Sequence, residues 1–274
     1  MVEETVKDLC TTGMINVDTT GTYEATLLGQ ATVVSSLTPE DGSFVHSEFQ
    51  RALRAFVMDG EMHIFYMFTP VQPLTLGDIN WPMFRREMEG LDESGLRVLG
   101  FAGVNPALVN RMWVESDVDS FSKLNLHRAN SGKSLPEDTA QEKETSRIYR
   151  RFYAAFQLRD LCNEVPIHVV ARKYDIQRGF VQNLAQTCDG FAAGMIAFCE
   201  RMEWGMLRSV LMHMSDRLKA GAKADLLELA KIPFVKSRTA RIFWENGLKG
   251  LRAVAAVEAR DLVPMLLLVI EFQP

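Results

Sequence analysis

The chain is poor in cysteine, with four in 274 residues, and no two of them are spaced as C-x-x-C. Cys10, Cys162, Cys188 and Cys199 therefore predict reduced, buried thiols in an intracellular protein and exclude a disulfide framework. The five histidines are scattered along the chain. His63 lies among apolar residues, which favours a packed side chain over a metal ligand. We expect no metal site.

Long apolar runs are also missing. The strongest, residues 265–270, is far shorter than the roughly 20 residues that a membrane-spanning helix needs. The first residues are acidic and lack the basic-then-apolar order of a secretory signal peptide. These features predict no membrane partner.

Catalytic motifs are scarce as well. The sequence has no D-E-x-[DH] box, no glycine-rich dinucleotide loop, no paired carboxylates and no nucleophile with a visible base. Ser131-Gly132-Lys133-Ser134 resembles the end of a P-loop, but His127 stands where the first glycine belongs and no buried strand precedes it. A solvated loop is the simpler interpretation, and an independent enzyme is the least favoured hypothesis.

Charge is unevenly distributed. The formal net charge is -5, but residues 1–146 hold 11 Lys and Arg against 22 Asp and Glu, whereas residues 147–274 hold 19 against 13. An acidic half therefore precedes a basic half. The basic half favours phosphate binding in spite of the acidic total. Because 47% of the residues are apolar, the chain can also bury a substantial core.

The first 36 residues predict a helix end, a β-hairpin and a second helix. Strands at 14–17 and 22–25 flank the turn residues 18–21. A helix followed by such a ribbon is typical of the back half of a winged helix. We therefore interpret residues 1–36 as a partial winged-helix remnant.

Most of the remaining chain has the three- and four-residue spacing of amphipathic helices, which predicts a mainly α fold. Helices are predicted at 44–58, 60–69, 81–90, 92–100, 105–112, 146–163, 166–174, 178–203 and 204–220, with shorter ones from 224 onward. Polar residues dominate between about 113 and 145, which predicts a flexible insertion. We divide the chain into 1–36, a ratchet-like helical domain at 37–223 and a C-terminal unit at 224–274.

The predicted helix 178–203 has an apolar stripe that core packing explains: Phe180, Leu184, Cys188, Phe191, Met195, Phe198 and Met202. Its other faces carry amides and small residues: Gln182, Asn183, Gln186, Gly190, Ala193, Gly194 and Ala197. Such side chains can line the path of a DNA strand without sequence preference. A groove for packing against another helix is the equally simple alternative.

Residues 232–247 resemble a helix-hairpin-helix unit, which offers backbone amides and basic side chains to phosphate oxygens. The predicted phosphate contacts are Lys236, Ser237, Arg238 and Arg241. Lys236 replaces the usual glycine of the tight turn, and Gly247 is expected to end the second helix. A plain helical hairpin with a solvated basic face is the alternative.

Four blocks, taken in order, resemble the C-terminal, non-ATPase region of superfamily 2 DNA helicases of the POLQ-like and polymerase theta type. The blocks are TLLGQA at 26–31 with SLTP at 36–39; MHIFYMFTP at 62–70; RFY at 151–153 with EVP at 164–166 and RGFVQNL at 178–184; and FCER at 198–201 with RLKAGAK at 217–223. The likeness extends to about residue 260. The runs at 178–184 and 198–200 look closer to the POLQ-like branch.

This resemblance implies a region that guides single-stranded or branched DNA during ATP-dependent 3′-to-5′ unwinding in nuclear DNA repair. Helix 178–203 would be the ratchet helix, and its implied DNA contacts are Arg178, Gln182, Asn183, Gln186 and Phe191. Gln182 takes the place of a basic residue in archaeal relatives. Gly190 takes the place of a stacking aromatic, with Phe191 beside it.

The resemblance also assigns ATP and Mg²⁺ to RecA-like motor domains that would precede Met1. We therefore expect no cofactor and no activity in this chain alone. The implied protein partners are motor domains or repair proteins. After Asp261 the likeness stops, and we expect the last domain to be incomplete. The alternative is a helical protein-interaction scaffold, derived from such a helicase, that no longer contacts DNA.

Overall fold

The computed structural model describes residues 2–54, 61–71, 78–122 and 134–271, with side chains throughout except at 115–122 and 268–271. The chain is mainly helical, as predicted. Within the described residues, no helix is long and apolar enough to cross a bilayer.

The helices, in chain order, are α1 (Val2–Thr11), α2 (Leu27–Val34), α3 (Pro39–Arg54), α4 (Met62–Phe68), α5 (Trp81–Glu89), α6 (Glu93–Ala102), α7 (Pro106–Ser122), α8 (Ala140–Cys162), α9 (Ile167–Tyr174), α10 (Arg178–Arg201), α11 (Gly205–Ala220), α12 (Leu227–Ala230), α13 (Ser237–Glu245), α14 (Leu251–Ala255) and α15 (Ala259–Glu271). The strands are β1 (Ile15–Val17) and β2 (Tyr23–Ala25), and a 3-10 helix (Ala224–Leu226) precedes α12.

The predicted N-terminal hairpin is confirmed, with each strand starting one residue later than expected. β1 pairs antiparallel with β2, so that Ile15 faces Ala25. The Asp18 carboxylate closes the turn, because it accepts hydrogen bonds from the backbone N–H groups of Thr20 and Thr22 at 2.8 and 2.9 Å. A hydrogen bond from the Thr20 hydroxyl, together with these backbone bonds, lowers the pKa of Asp18.

The main hydrophobic core is centred on aromatic side chains of α5 and α8. Phe84 lies between Tyr149, Phe152 and Phe156, with ring centroids 5.5–6.3 Å apart and an edge-to-face contact to Phe156. Each of these rings is almost completely buried. Burying one such side chain contributes about 1.5–3 kcal/mol, so this cluster fixes the position of α8.

A buried arginine connects α8 to the end of α4 and to α3. Arg151 donates from Nε to the carbonyl of Thr69 at 3.1 Å, and from Nη1 and Nη2 to the hydroxyl and carbonyl of Tyr66 at 3.2 and 3.3 Å. Its Nη1 also lies 3.6 Å from Oε2 of Glu48. Burial lowers the pKa of Arg151, and these partners compensate for the water that its guanidinium has lost.

The segment predicted as a flexible insertion, about 113–145, is partly helical. α7 continues to Ser122, and α8 begins at Ala140. Thr139 caps α8, since its hydroxyl accepts from the N–H of Glu142 at 3.2 Å and Glu142 accepts from the N–H of Thr139 at 2.9 Å. A capping box is built from polar residues, and composition alone therefore suggested a loop. Residues 123–133, with most of the P-loop-like fragment, lie outside the described residues.

A second, smaller core occupies the C-terminal part of the chain: Ala222, Leu226, Leu229, Ala240, Phe243 and Leu248. Gly247 follows α13 with a φ of +85°, and the N–H of Leu248 donates to the carbonyl of Phe243 at 2.9 Å. This is the glycine-terminated helix end that the sequence predicts. The division into three domains stays a prediction.

Candidate nucleic-acid interface

α10 starts from a short, rigid turn. Asp175, the residue after α9, has a φ of +52°, and α10 begins three residues later at Arg178. Lys173 on α9 is 2.7 Å from Oδ2 of Asp160 on α8 and 2.8 Å from Oε1 of Glu87 on α5. These ion pairs hold α9 against two core helices, and the start of α10 is positioned with it.

The predicted apolar stripe of α10 faces the main core. Leu184, Cys188, Met195 and Phe198 are buried, as expected. Phe191, one of the predicted DNA contacts, is only half-exposed and packs against the main core. Part of its ring is therefore occupied by packing.

The cysteines are free, as predicted, and three of the four are buried. Burial raises the pKa of Cys162 and of Cys199 to about 12. These thiols are therefore protonated at neutral pH and poorly nucleophilic. Cys10 is half-buried, which differs from the prediction for this one residue.

The opposite side of α10 is exposed. Arg178, Gln182, Gln186 and Gly190 recur at every fourth position and are all solvent-exposed, which places them along one side of the helix. We call these four residues the exposed row. Asn183 lies beside it and is also exposed. The row is about 18 Å long, at 1.5 Å per residue.

The polar side chains of this surface are unengaged. Within the parts of the chain that the structure describes, the side chains of Arg178, Gln182, Asn183 and Gln186 make no hydrogen bond or ion pair. Their donors and acceptors face water and are available to a ligand. Such a surface can bind phosphates, sugars and bases without sequence preference.

The small residues of α10 have two different surroundings. A Cβ added to Gly194 would lie 3.1 Å from the carbonyl oxygen of Ser35, at the end of α2, whereas nothing lies within 4 Å of one added to Gly190. The helix-packing alternative is therefore correct for Gly194. Gly190 and Ala193 are exposed and leave open space beside the exposed row.

The basic residues of the predicted helix-hairpin-helix have different surroundings too. Lys236 and Arg238 are exposed, and Ser237 is half-buried at the start of α13. They belong to an element with its own core, separate from that of α10. The structure therefore places the predicted contacts on two surfaces, one on α10 and one at the hairpin.

Arg241 is held by two carboxylates. Its Nη2 and Nε lie 2.6 and 2.9 Å from the two carboxylate oxygens of Glu164, and its Nη1 is 3.1 Å from Oδ2 of Asp225. We call Glu164, Arg241 and Asp225 the clasp. Its bidentate geometry is that of a strong charge-assisted pair. A phosphate would have to displace both carboxylates, and Arg241 is therefore much less available than the sequence suggested.

The clasp also lowers the pKa of the Glu164 carboxyl group. Burial opposes its ionisation, but hydrogen bonds from Arg241 and from the backbone N–H of Lys223 outweigh this effect and lower its pKa. Glu164 lies after α8, and Arg241 lies on α13. The ion pair therefore joins the C-terminal unit to the helical domain.

Replacing Glu164 by Gln is expected to lower the free energy of unfolding of the C-terminal unit by about 1 kcal/mol at pH 7, since the pair is partly solvent-screened. Because the folded-state pKa is depressed, the contribution of Glu164 is present above its ordinary pKa and disappears as the pH falls through the folded value. Wild type and variant should therefore converge in acid. Amide exchange in α13, compared between the two proteins at each pH, measures the difference.

The matched control is Glu245→Gln, at an exposed position on the same helix. It should leave exchange in α13 unchanged at either pH. Equal protection in wild type and Glu164→Gln at pH 7 would contradict a stabilising clasp.

The structure supports the expected packed role of His63. It is buried on α4, and its ring stacks on Phe101 with centroids 6.3 Å apart. Burial lowers the pKa of His63 to about 4. In the described ranges, no three His, Cys, Asp or Glu side chains come together as metal ligands.

Comparison with known proteins defines the class. Residues 39–218 match the family described as the DNA pol Q helicase like region helical domain. The match covers more than half of the chain, and the chain belongs to this family. Residues 224–273 match a second family, described as a domain of unknown function.

Individual relatives show the same relationship. The chain is 32% identical to DNA polymerase theta of Drosophila melanogaster over 90% of its own length and 11% of that protein. It is 22% identical to the helicase POLQ-like protein of Homo sapiens, covering 88% of this chain and 20% of the relative. Its identity with the ATP-dependent DNA helicase Hel308 of Aeropyrum pernix is 24%, over 96% of this chain and 30% of the relative.

The chain thus spans less than a third of the length of each of these curated relatives. The identity is higher with the polymerase theta protein than with the POLQ-like helicase. These identities are taken over nearly the whole chain, and the likeness of the runs at 178–184 and 198–200 to the POLQ-like branch stays a prediction.

Proposed function

We propose that this region guides an unwound DNA strand along the exposed row of α10 while a helicase motor moves the strand. The observation that carries this proposal is the row itself, a continuous exposed side of a core helix with unengaged polar groups. Membership of the polymerase theta helical-domain family supports it. So does the similarity to a protein named as an ATP-dependent DNA helicase.

Each residue of the row has a separate role in the proposal. Arg178 neutralises a phosphate at the start of α10, where the helix dipole also favours an anion. Gln182 and Gln186 donate to phosphate and sugar oxygens or to base edges, and Asn183 extends this set. Gly190 lets the strand come close to the helix backbone. Because these contacts do not depend on base identity, the strand can slide.

We also propose the domain types, cofactors, partners and location of the protein. Residues 1–36 are a winged-helix remnant, and 232–247 are a helix-hairpin-helix-like unit that contacts the strand through Lys236, Ser237 and Arg238. ATP and Mg²⁺ act only in RecA-like motor domains outside this sequence. The protein works in the nucleus, on single-stranded or branched DNA, together with motor domains or repair proteins. Alone, it does not unwind DNA.

Adding charge to the row tests the proposal. Gln182→Glu combined with Gln186→Glu places two carboxylates beside the phosphates. Each repulsion costs about 1 kcal/mol at contact distance in water, so the affinity for a single-stranded oligonucleotide should fall about 30-fold. Fluorescence anisotropy at low salt measures the dissociation constant.

The control is Gln50→Glu combined with Gln141→Glu, two exposed positions on α3 and α8. It changes the net charge by the same amount away from the row and should leave the affinity within about twofold, since distant surface charges are screened. Equal losses in the two double variants would refute a local DNA path along α10.

A scaffold that contacts only proteins is the second candidate, and the acidic first half of the chain favours it. It predicts that the wild-type chain does not bind single-stranded or branched DNA even at low salt. The same anisotropy titration therefore decides between the two candidates.

A further inference from the structure

The tip of the hairpin between α12 and α13 carries a fully exposed aromatic ring. Phe234 has 102% of its reference surface exposed. Its backbone φ is +68°, in the left-handed region that a phenylalanine rarely adopts. The N–H of Val235 donates to the carbonyl of Ile232 at 3.0 Å. Pro233 in the second position and a positive φ in the third are the pattern of a type II β-turn, in which glycine is usual at the third position.

Folding does not account for a phenylalanine at this position. A glycine would adopt this φ without strain, and it would not expose an aromatic ring to water. The neighbours Ile232 and Val235 are partly buried against the second core, so the turn is anchored on both sides of Phe234. A strained residue held by well-packed neighbours is typical of a functional position.

The charged neighbours of the ring indicate its ligand. Lys231 and Lys236 are exposed on either side of the turn, and Arg238 is exposed on the first turn of α13. Proteins that bind unpaired nucleic acid combine aromatic rings, on which bases stack, with cations that contact the phosphates. An acidic peptide would use the cations without needing the ring, and an apolar pocket would use the ring without needing the cations.

We propose that Phe234 is a stacking platform for an unpaired base of the DNA strand, with Lys231 and Lys236 contacting the phosphates on either side of that base. This inference rests on the proposed function and extends it to the C-terminal unit. The strand would then be held at two places, by polar contacts along α10 and by a base stack at the hairpin.

The test uses the full chain and two substitutions at one position. Phe234→Gly relieves the backbone strain and removes the ring, so its melting temperature should equal or exceed that of wild type. Its affinity for a single-stranded oligonucleotide should nevertheless fall about tenfold, the effect of losing one base stack. Phe234→Trp should keep the affinity within about threefold, and DNA should quench its additional indole emission.

An oligonucleotide with abasic sites isolates the stack. Wild type should bind it about tenfold more weakly than the intact strand, whereas Phe234→Gly should bind both with similar affinity. Leu251→Ala, at another exposed apolar position of the same unit, is the matched control and should bind like wild type. If Phe234→Gly binds the intact strand as tightly as wild type, the stacking role is wrong.

The outcomes also separate this inference from the proposed function. Loss of affinity in the Gln182 and Gln186 double variant but not in Phe234→Gly would overturn the stack and leave the α10 path standing. Loss in Phe234→Gly alone would overturn the α10 path and support the stack. A wild-type chain that does not bind DNA at low salt would overturn both.

Discussion

A tenfold rise in salt concentration is expected to weaken binding to single-stranded DNA by roughly 600-fold. Four cationic side chains contact phosphates in the proposed complex: Arg178, Lys231, Lys236 and Arg238. Each phosphate contact on a single strand contributes about 0.7 to the slope of log affinity against log salt, because condensed counterions are released. The expected slope is therefore about −2.8, measured by anisotropy titrations at several salt concentrations.

Single substitutions show how much each residue contributes to this salt dependence. Arg178→Ala and Lys236→Ala should each reduce its magnitude by about 0.7. Lys143→Ala, at an exposed position on α8, should leave the slope unchanged. Arg241 is not counted, because the clasp holds its guanidinium. A wild-type slope near zero would mean that phosphates are not the ligand.

Replacing Arg151 by Met is expected to reduce the free energy of unfolding by about 3–5 kcal/mol, since each buried acceptor left without its donor costs about 1–3 kcal/mol. The substitution removes three hydrogen bonds to Thr69 and Tyr66 and the ion pair with Glu48, whose carboxylate keeps its contact with the guanidinium of Arg51. The buried oxygen atoms of Thr69 and Tyr66 that lose their donor account for most of the loss. The midpoint of urea unfolding measures it.

Two further variants make this prediction specific. Arg150→Met changes the neighbouring residue, whose partner Glu137 is about half-exposed, and should cost less than about 1 kcal/mol. Glu48→Gln combined with Arg151→Met should recover little of the loss, because Arg51 still compensates the Glu48 carboxylate in the single variant and the hydrogen bonds to Thr69 and Tyr66 stay broken in both. Equal midpoints for Arg150→Met and Arg151→Met would contradict the structural role of Arg151.

Local patterns in the sequence predicted much of the fold. The period of the apolar residues located α10 and its buried stripe, since one side of a helix must face the core. The alternation at 14–25 located the hairpin. Gly247 marked the end of α13, because only glycine adopts the required φ easily. These features depend on residues close together in the chain.

Features that depend on tertiary contacts could not be predicted. The sequence alone suggests that Arg241 is available to bind phosphate. Its partner Glu164 lies 77 residues away in the chain, so local patterns could not indicate the ion pair. Gly194 and Gly190 cannot be told apart in the sequence, because only the position of α2 shows that Gly194 is a packing contact and Gly190 is not. The left-handed conformation of Phe234 departs from the rule that glycine occupies the third position of a type II turn. The spacing of apolar residues contains no information about φ, so this conformation could not be predicted. The exposure of the polar side of α10 could therefore be predicted from the sequence, whereas the carboxylate partners of Arg241 and the conformation of Phe234 could not.

The position of the clasp has a mechanical consequence. Glu164 lies in the connection between α8 and α9, and α9 leads directly into α10. In the proposed complex, a strand that pulls on the C-terminal unit would load the pair of Arg241 with Glu164, and this pair gives the force a second route to the base of α10 besides the covalent connection through α11. Tension at the C-terminal unit would thus be transmitted to the helix that is proposed to guide the strand.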